Sequence, residues 1–426
     1  MTKKIDNILK EVLGRIRPPK QELIIFENDL KNFLKKLEKK IKSLKIIAEI
    51  FIGGSFAKNT LIKKDCYDID VFIRFNNKYE NSKISDMTKK ILKQVDNFSI
   101  IHGSRDYFKI KKRDNFFIEL IPVIKVKNSK ESKNITDLSY SHVKYIKKKI
   151  KSKKILEEIM IAKAFCYANR CYGAESYING FSGYSLELLI YYYGGFLKFI
   201  KAIAKHKKDK IIIDIEKQYK NKQIILMDLN GSKLHSPIIL IDPTYKQRNV
   251  SAALSEKTFI EFKKNCEKFL KNPSIESFEI KKIDLEKIKQ NAKNNKLEFI
   301  LIETQTNKQE GDVAGTKLLK FYKHLDYEIS KLFEIKNKGF NYNDKKSARY
   351  FFVVKKKENI LLEGPFLKDK KNINLFKKKH KKTFTKKGKI YAKEKIKLNL
   401  KEFTQRWKIK NKKRLKEMSI SDFKII

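Results

Sequence analysis

Gly53-Gly-Ser-Phe-Ala-Lys-Asn-Thr60, a short basic loop, and Asp68-Ile-Asp-Val-Phe-Ile-Arg-Phe75 are the stretches whose reading decides the fold. Residues 46–52, just upstream, are short, apolar and β-branched and end in Gly-Gly-Ser, which reads as a strand turning onto a helix. In the second stretch the side chains alternate with period two. Asp68 and Asp70 therefore share one strand face, while Ile69, Val71 and Ile73 point into a core. Two carboxylates this close repel, and they persist when a cation neutralises them or one is protonated; a divalent metal is the commonest solution. A third carboxylate, Glu119, lies mid-strand in the apolar run 116–124, between Ile118 and Leu120. Three such oxygen ligands can hold two Mg²⁺ ions, one activating an attacking hydroxyl and one bridging a triphosphate. The turn supplies the complement, because its backbone N–H groups, the Ser55 hydroxyl and the N-terminus of the following helix form an anion cradle. It is not a Walker A loop, which needs GxxxxGK[ST]. A Gly-Gly-Ser turn or an Asp-x-Asp pair alone is often structural; the joint pattern with a later strand carboxylate is much more specific.

Working outward, apolar residues recur at helical spacing from Asn7 to about Leu44 and are interrupted at Pro18-Pro19, which predicts two helices before the first strand. A helix over 86–95 separates the second and third strands, giving a mixed α/β domain over residues 1–150. The Lys-rich run 147–154 is read as the basic start of a helix. A mainly helical central domain follows over 151–270, with a further helix after Asn249. Beyond Glu298, strand-like runs at 299–303 and 350–354 bracket an amphipathic helix over 317–333, so residues 271–426 read as an α+β C-terminal region. The fold class is multidomain α+β. No internal repeat is visible, and the run 377–389 is basic enough for a solvated loop or an RNA contact.

Composition narrows the partners. Among 426 residues, 41% are hydrophobic and 12% aromatic, so this is a folding chain and not a disordered polycation. A formal net charge of +50 points to a polyanionic partner, nucleic acid before an anionic membrane. The most apolar stretch, 188–197, is about half the length a bilayer requires, so no membrane is expected. The first residues lack the apolar core of a signal peptide, which makes the cytoplasm the expected location. Cys66, Cys166, Cys171 and Cys266 form no CxxC pair and read as free thiols.

With these residues in place, the chain resembles the nucleotidyltransferases of the DNA polymerase β superfamily, whose signature is a Gly-Ser turn, an acidic-x-acidic strand and a later strand carboxylate. The resemblance to archaeal-type (class I) CCA-adding enzymes is closer and covers most of the chain. Gly54-Ser-Phe-Ala-Lys-Asn-Thr60 and Asp68-Ile-Asp-Val-Phe72 resemble that family's head. Tyr172-Gly-Ala-Glu175, Gly180-Phe-Ser-Gly-Tyr184 and Glu187-Leu-Leu-Ile190 resemble its neck, and Asp242-Pro243 with Arg248-Asn-Val250 its base-proximal segment. Weaker similarity continues through Gly364-Pro-Phe366 and Gly388-Lys-Ile-Tyr-Ala392.

The resemblance implies a polymerase β-like head, and Asp68, Asp70 and Glu119 as catalytic metal ligands. Gly54, Ser55, Lys58, Ser139, His142, Lys163 and Tyr172 are implied around the triphosphate, and Arg248 at the base. It also implies Mg²⁺ as cofactor, CTP and ATP as substrates, and tRNA as partner, gripped at its acceptor stem and T arm by the C-terminal domains. Within those domains Lys377, Lys378, Lys379, Lys381 and Lys382 are the candidate RNA contacts; a homodimer is left open. Template-independent addition of C, C and A to a tRNA 3′ end is the implied activity. A poly(A) or oligoadenylate polymerase, or a catalytically degenerate RNA-binding protein, are the alternatives. The chain departs from the family pattern at Glu119, where Asp is usual, at Lys58, where Arg is common, and in a loop before Asp68 that is one residue longer.

Overall fold

The computed structural model describes residues 2–207, 209–281, 283–343 and 345–426, in two compact units, Met1–Lys281 and Lys282–Ile426. In the first unit the proline pair separates α1 (Thr2–Ile16) from α2 (Lys20–Ser43). Then come β1 (Ala48–Ile52), α3 (Gly54–Ala57), β2 (Tyr67–Phe75), α4 (Ile84–Leu92), β3 (Ser99–Ile101), β4 (Tyr107–Arg113) and β5 (Phe116–Ile124). The sheet order is β1-β2-β5-β4-β3, with β2 and β5 parallel and the other neighbours antiparallel. Phe26, Leu30, Phe33, Leu37 and Ile41 form a helical stripe on α2 that packs on Ile69, Val71, Ile73, Ile118 and Leu120 of the sheet. Five such side chains, each contributing about 1.5–3 kcal/mol on burial, rival the whole net stability of a domain. That decides which face of the sheet is covered, and Asp68, Asp70 and Glu119 are left on the other.

The unit continues with α5 (Ser139–Lys149), α6 (Lys153–Ala168), α7 (Gly183–Tyr193) and α8 (Phe196–Lys205). After these come β6 (Ile211–Ile213), α9 (Lys222–Asp228), β7 (Ile238–Asp242), β8 (Tyr245–Asn249) and α10 (Glu256–Lys271). The basic run 147–154 does not start one helix. Lys147, Lys148 and Lys149 close α5, where positive charge suits the helix dipole. Ile150 then leaves the helical conformation and buries its side chain before α6 begins at Lys153. Burial of that isoleucine outweighs continuing the helix. Ile5 and Leu9 of α1 belong to the core formed by α6 to α8 and α10, and β6, β7 and β8 make a small sheet that helical periodicity had not revealed.

The second unit contains α11 (Leu285–Asn294), β9 (Glu298–Thr306), α12 (Asp312–Leu332), β10 (Phe333–Tyr342), β11 (Ser347–Lys356) and β12 (Asn359–Phe366). It ends with α13 (Lys370–Lys379), β13 (Thr383–Lys386), β14 (Lys389–Lys395), α14 (Leu400–Lys410), α15 (Lys412–Glu417) and β15 (Ile420–Ile425). An antiparallel sheet, β10-β11-β9-β15, has α12 and α14 on one face and α11 on the other. A separate β12-β14-β13 sheet carries α13. The basic run 377–389 is thus not a loop: its first lysines end α13 and the rest lead into β13 and the turn to β14. Among the described residues, no helix is long and apolar enough to cross a membrane.

Candidate active site

The parallel pairing of β2 with β5 sets Asp70 directly opposite Glu119 and Asp68 opposite Phe117. Directly paired residues point to the same face, so all three carboxylates share the open side of the sheet. Above them, β1 turns into α3 through two glycines that leave no room for a side chain without a shift of Phe72 or Asp70. A Cβ on Gly53 would lie 2.4 Å from the Phe72 ring, and one on Gly54 would lie 1.7 Å from Asp70 Oδ2. Gly54 also has φ +59, a left-handed conformation that disfavours other residues. The turn is therefore pressed against Asp70, and the Gly53 N–H donates to the Asp70 carbonyl at 2.8 Å. The helix it opens, α3, has only four residues. Its dipole is correspondingly small, so an anion here would rest on backbone N–H groups, the half-buried Ser55 and nearby lysines.

Burial pushes Asp70 up to about 6 against the pull of Lys58, with the Asp68 charge adding to the rise. Burial likewise raises Glu119 to about 7, reinforced by Asp68 and Asp70 and opposed by Lys109. Asp68 Oδ1 is buried and makes no well-directed hydrogen bond. The Lys109 ammonium lies 3.2 Å from that atom and 3.7 Å from Glu119 Oε1. Among the described residues, no three carboxylate, imidazole or thiolate groups converge to metal-ligating distance. The donor set nevertheless suits a hard divalent cation: mutually repelling carboxylate oxygens on one face, one of them buried and met only by the Lys109 charge. Lys109 stands among them.

A second cluster joins the head to the helices behind it. Glu187, fully buried on α7, receives Lys58 Nζ at 2.6 Å and Lys163 Nζ at 3.1 Å. Lys163 also donates to Thr60 Oγ1 at 2.8 Å and to the Thr60 carbonyl at 3.2 Å. Burial lowers Lys163 to about 8 in spite of Glu187. Against burial, Lys58 and Lys163 hold Glu187 below the usual carboxylate range. Tyr172 stacks on Tyr167 with 4.2 Å between ring centroids, and a Cβ on Gly183 would lie 2.9 Å from its hydroxyl oxygen.

The third cluster centres on Asp242. Its Oδ2 accepts from Arg248 Nη1 at 2.7 Å and lies 3.0 Å from His142 Nε2; its Oδ1 accepts from the Tyr184 hydroxyl at 3.2 Å and the Thr244 N–H at 2.8 Å. Burial works to raise the Asp242 carboxyl, but the His142 hydrogen bond and the His142 and Arg248 charges hold it well below the usual range. Burial lowers His142, which stacks on Tyr184 at 4.2 Å. Ser139 opens the same helix as His142, three residues earlier and on the same side. The Lys58 charge acts on Asp70, Glu187 and His142 alike, so this lysine links the three clusters.

Sequence reading thus named Asp68, Asp70, Glu119, Gly54, Ser55, Lys58, Ser139, His142, Lys163, Tyr172 and Arg248, and the first unit brings them into this region. It missed Lys109, and it quoted Glu187 and Asp242 without seeing them as hubs. A charge inside the otherwise apolar run Leu186 to Ile190 was the available signal for Glu187. Lys377, Lys378, Lys379, Lys381 and Lys382 lie in the other unit and are exposed.

Residues 31–166 match the nucleotidyltransferase domain, and residues 157–279 match the second domain of tRNA nucleotidyltransferase. The CCA-adding enzyme of Nanoarchaeum equitans is 39% identical over 241 residues, which is 56% of this chain and 59% of that protein. The chain is thus similar to tRNA nucleotidyltransferases. The CCA-adding enzyme of Methanocaldococcus jannaschii is 29% identical over 400 residues, 91% of this chain and 87% of that protein. That of Methanococcus maripaludis is 31% identical over 281 residues, 64% and 61% respectively. The chain thus spans less than two thirds of the Nanoarchaeum and Methanococcus proteins in these alignments. Among solved structures, the Cid1 poly(U) polymerase aligns with a TM-score of 0.50 at 13% identity, over 66% of this chain and all of that one. A cytoplasmic RNA terminal U-transferase aligns equally well, with a TM-score of 0.50 at 12% identity over 66% of this chain. Both likenesses are of fold, the polymerase β-like nucleotidyltransferase fold in a multidomain α and β chain.

Proposed function

We propose that this protein adds C, C and A, from CTP and ATP, to the 3′ end of tRNA without a template. The observation that carries the reading is the register that sets Asp70 opposite Glu119 beneath the Gly53-Gly54 turn, with the Lys58 charge acting on Asp70 and Lys163 held beside Lys58 on Glu187. That face offers hard oxygen ligands, and its neighbours offer positive charge for a triphosphate.

Asp68, Asp70 and Glu119 would hold two Mg²⁺ ions, which when bound acidify the RNA 3′ hydroxyl and offset charge on the leaving pyrophosphate. Ser55 and the turn's N–H groups receive phosphate oxygens, and Lys58, Lys163 and Tyr172 bind the outer phosphates. Ser139 and His142 flank them. Lys58 must leave Glu187 to do so, and Glu187 keeps the lysine pair from repelling itself until then. Arg248, steered by Asp242, presents its fork to the base edge, a geometry a lysine cannot supply. The head, residues 1–150, and the central domain, 151–270, would build the nucleotide site between them, while residues 271–426 grip the acceptor stem and T arm, in the cytoplasm.

The test offers tRNA transcripts ending before, within and after CCA, with labelled CTP or ATP, read at single-nucleotide resolution. Ordered growth to CCA and then arrest supports the reading. Continued addition of A makes the protein a poly(A) polymerase, and no addition at all with intact RNA binding makes it a degenerate binder.

A further inference from the structure

We propose that Lys109 is a tethered cation that occupies the place of a divalent ion between Asp68 and Glu119, and that the ion binds only by displacing it. This rests on the reading of those carboxylates as metal ligands.

Backbone pairing puts Lys109 there. It is the direct antiparallel partner of Glu119 across β4 and β5, so both side chains project from the same open face. The next pair on that face, Asp70 opposite Glu119 across β2 and β5, completes a row that reads carboxylate, carboxylate, ammonium. Lys109 Nζ lies 3.2 Å from the buried Asp68 Oδ1 and 3.7 Å from Glu119 Oε1, and 4.5 Å above the Phe117 ring. Phe117 is itself opposite Asp68, so its ring and the two carboxylates together fix where the ammonium rests. Its flexible stem is 29% exposed, so the head can swing out without disturbing the buried Phe108 and Ile110 beside it.

An ammonium and a divalent ion cannot share oxygens this close, since unit charges about 4 Å apart repel by several kcal/mol at an intermediate effective dielectric. Lys109 therefore quiets the repulsion between the carboxylates and weakens the binding of a metal that replaces it. A nucleoside triphosphate arriving with its own negative charge tips the exchange toward the metal. Metal occupancy thereby becomes coupled to nucleotide occupancy.

The experiment measures Mn²⁺ binding to the full-length protein by electron paramagnetic resonance of the free ion, without nucleotide. It is run at pH 8, above the range in which Asp70 and Glu119 titrate. Wild type, Lys109→Met, Lys109→Gln, Lys109→Arg and Asp70→Asn are compared, with thermal melts of each in chelator and in Mn²⁺. The expected result is Mn²⁺ affinity on the order of tenfold tighter for Lys109→Met and Lys109→Gln than for wild type, with Lys109→Arg close to wild type. Their metal-free melting temperature should fall and their gain on adding Mn²⁺ should exceed that of wild type. Asp70→Asn should lose the site. Equal or weaker Mn²⁺ binding by Lys109→Met and Lys109→Gln overturns the displacement while leaving the metal site standing. Binding that is unaltered in Asp70→Asn overturns the metal reading itself, and this inference with it.

Discussion

Asp70 and Glu119 face each other across parallel strands with their protonation held up to about 6 and about 7, and that costs stability in a definite pH window. An ordinary carboxylate in the unfolded chain loses its proton near 4, so between about 4 and 7 the native state binds more protons than the unfolded state. Stability from this pair is therefore greatest at acid pH and falls as pH rises through 6 and 7. His142, whose lowered value acts with the opposite sign below 6.5, is removed by comparison. In chelator, wild type should lose stability relative to the Asp70→Asn, Glu119→Gln double variant as pH goes from 5 to 8, and Mg²⁺ should cancel the loss; parallel curves would refute the pair's protonation. Asp68→Ala or Asp70→Ala should abolish nucleotide addition while RNA binding survives, and retained turnover would remove the ligand assignment. Glu119→Asp should be at least as active as wild type if the longer side chain is merely tolerated. A shift of about 1 Å in a ligand can cost ~100-fold in rate, so a dead Glu119→Asp would mean that the site is built around Glu. Arg248→Ala should relax discrimination of CTP and ATP from UTP and GTP, because readout by hydrogen bonds vanishes with its donor; unchanged selectivity would place base recognition elsewhere. The three carboxylates were legible in the sequence because period-two alternation exposes a charge in a strand. Lys109 was not, because Tyr107-Phe-Lys-Ile-Lys-Lys-Arg113 has too few apolar residues to announce itself as a strand, and only its pairing with β5 makes it one.

At the scale of elements, the connection from β1 to β2 and the helices α6 and α7 meet on a single buried carboxylate. Removing Glu187 leaves two lysines facing each other, with Lys163 buried and Lys58 nearly so. Breaking such a pair from one side typically costs about 3–5 kcal/mol. Glu187→Ala should therefore lower unfolding free energy by about that amount in urea titrations, whereas Glu187→Gln, which keeps acceptor oxygen but not charge, should lose less. A loss below about 1 kcal/mol for Glu187→Ala would show that the lysines find other partners. The α2 stripe and the strands flanking it were readable because each element carries its own period. The break at Ile150 was not, since it depends on a pocket formed by α1 and α6 to α8, far away in sequence. The small β6-β7-β8 sheet escaped for a related reason: its strands span three to five residues, and β8, Tyr-Lys-Gln-Arg-Asn, is almost wholly polar.

The whole molecule carries +50 formal charges, and composition alone already pointed to a polyanion without saying which surface meets it. The structure sorts part of that charge: Lys377, Lys378 and Lys379 end α13, and Lys381 and Lys382 precede β13, all exposed on the small β12-β14-β13 unit. If, as proposed, the protein serves every tRNA, it cannot read sequence through the deep, narrow major groove of A-form RNA, so its grip should fall on backbone, shape and 2′ hydroxyls. A minihelix of acceptor stem and T arm should accordingly be extended nearly as well as full tRNA. Each neutralised phosphate releases condensed counterions, so log affinity should fall linearly and steeply with log salt. Replacing the five lysines by Gln removes up to five such contacts. The slope should then flatten, and the Michaelis constant for RNA should rise while that for CTP stays put, because the clusters proposed to bind nucleotide lie in the other unit. Measuring both constants across a salt series separates this outcome from general damage, which would move the CTP constant as well. Should the slope and the RNA constant match wild type, this run is a solvated surface and the RNA face lies on other basic residues.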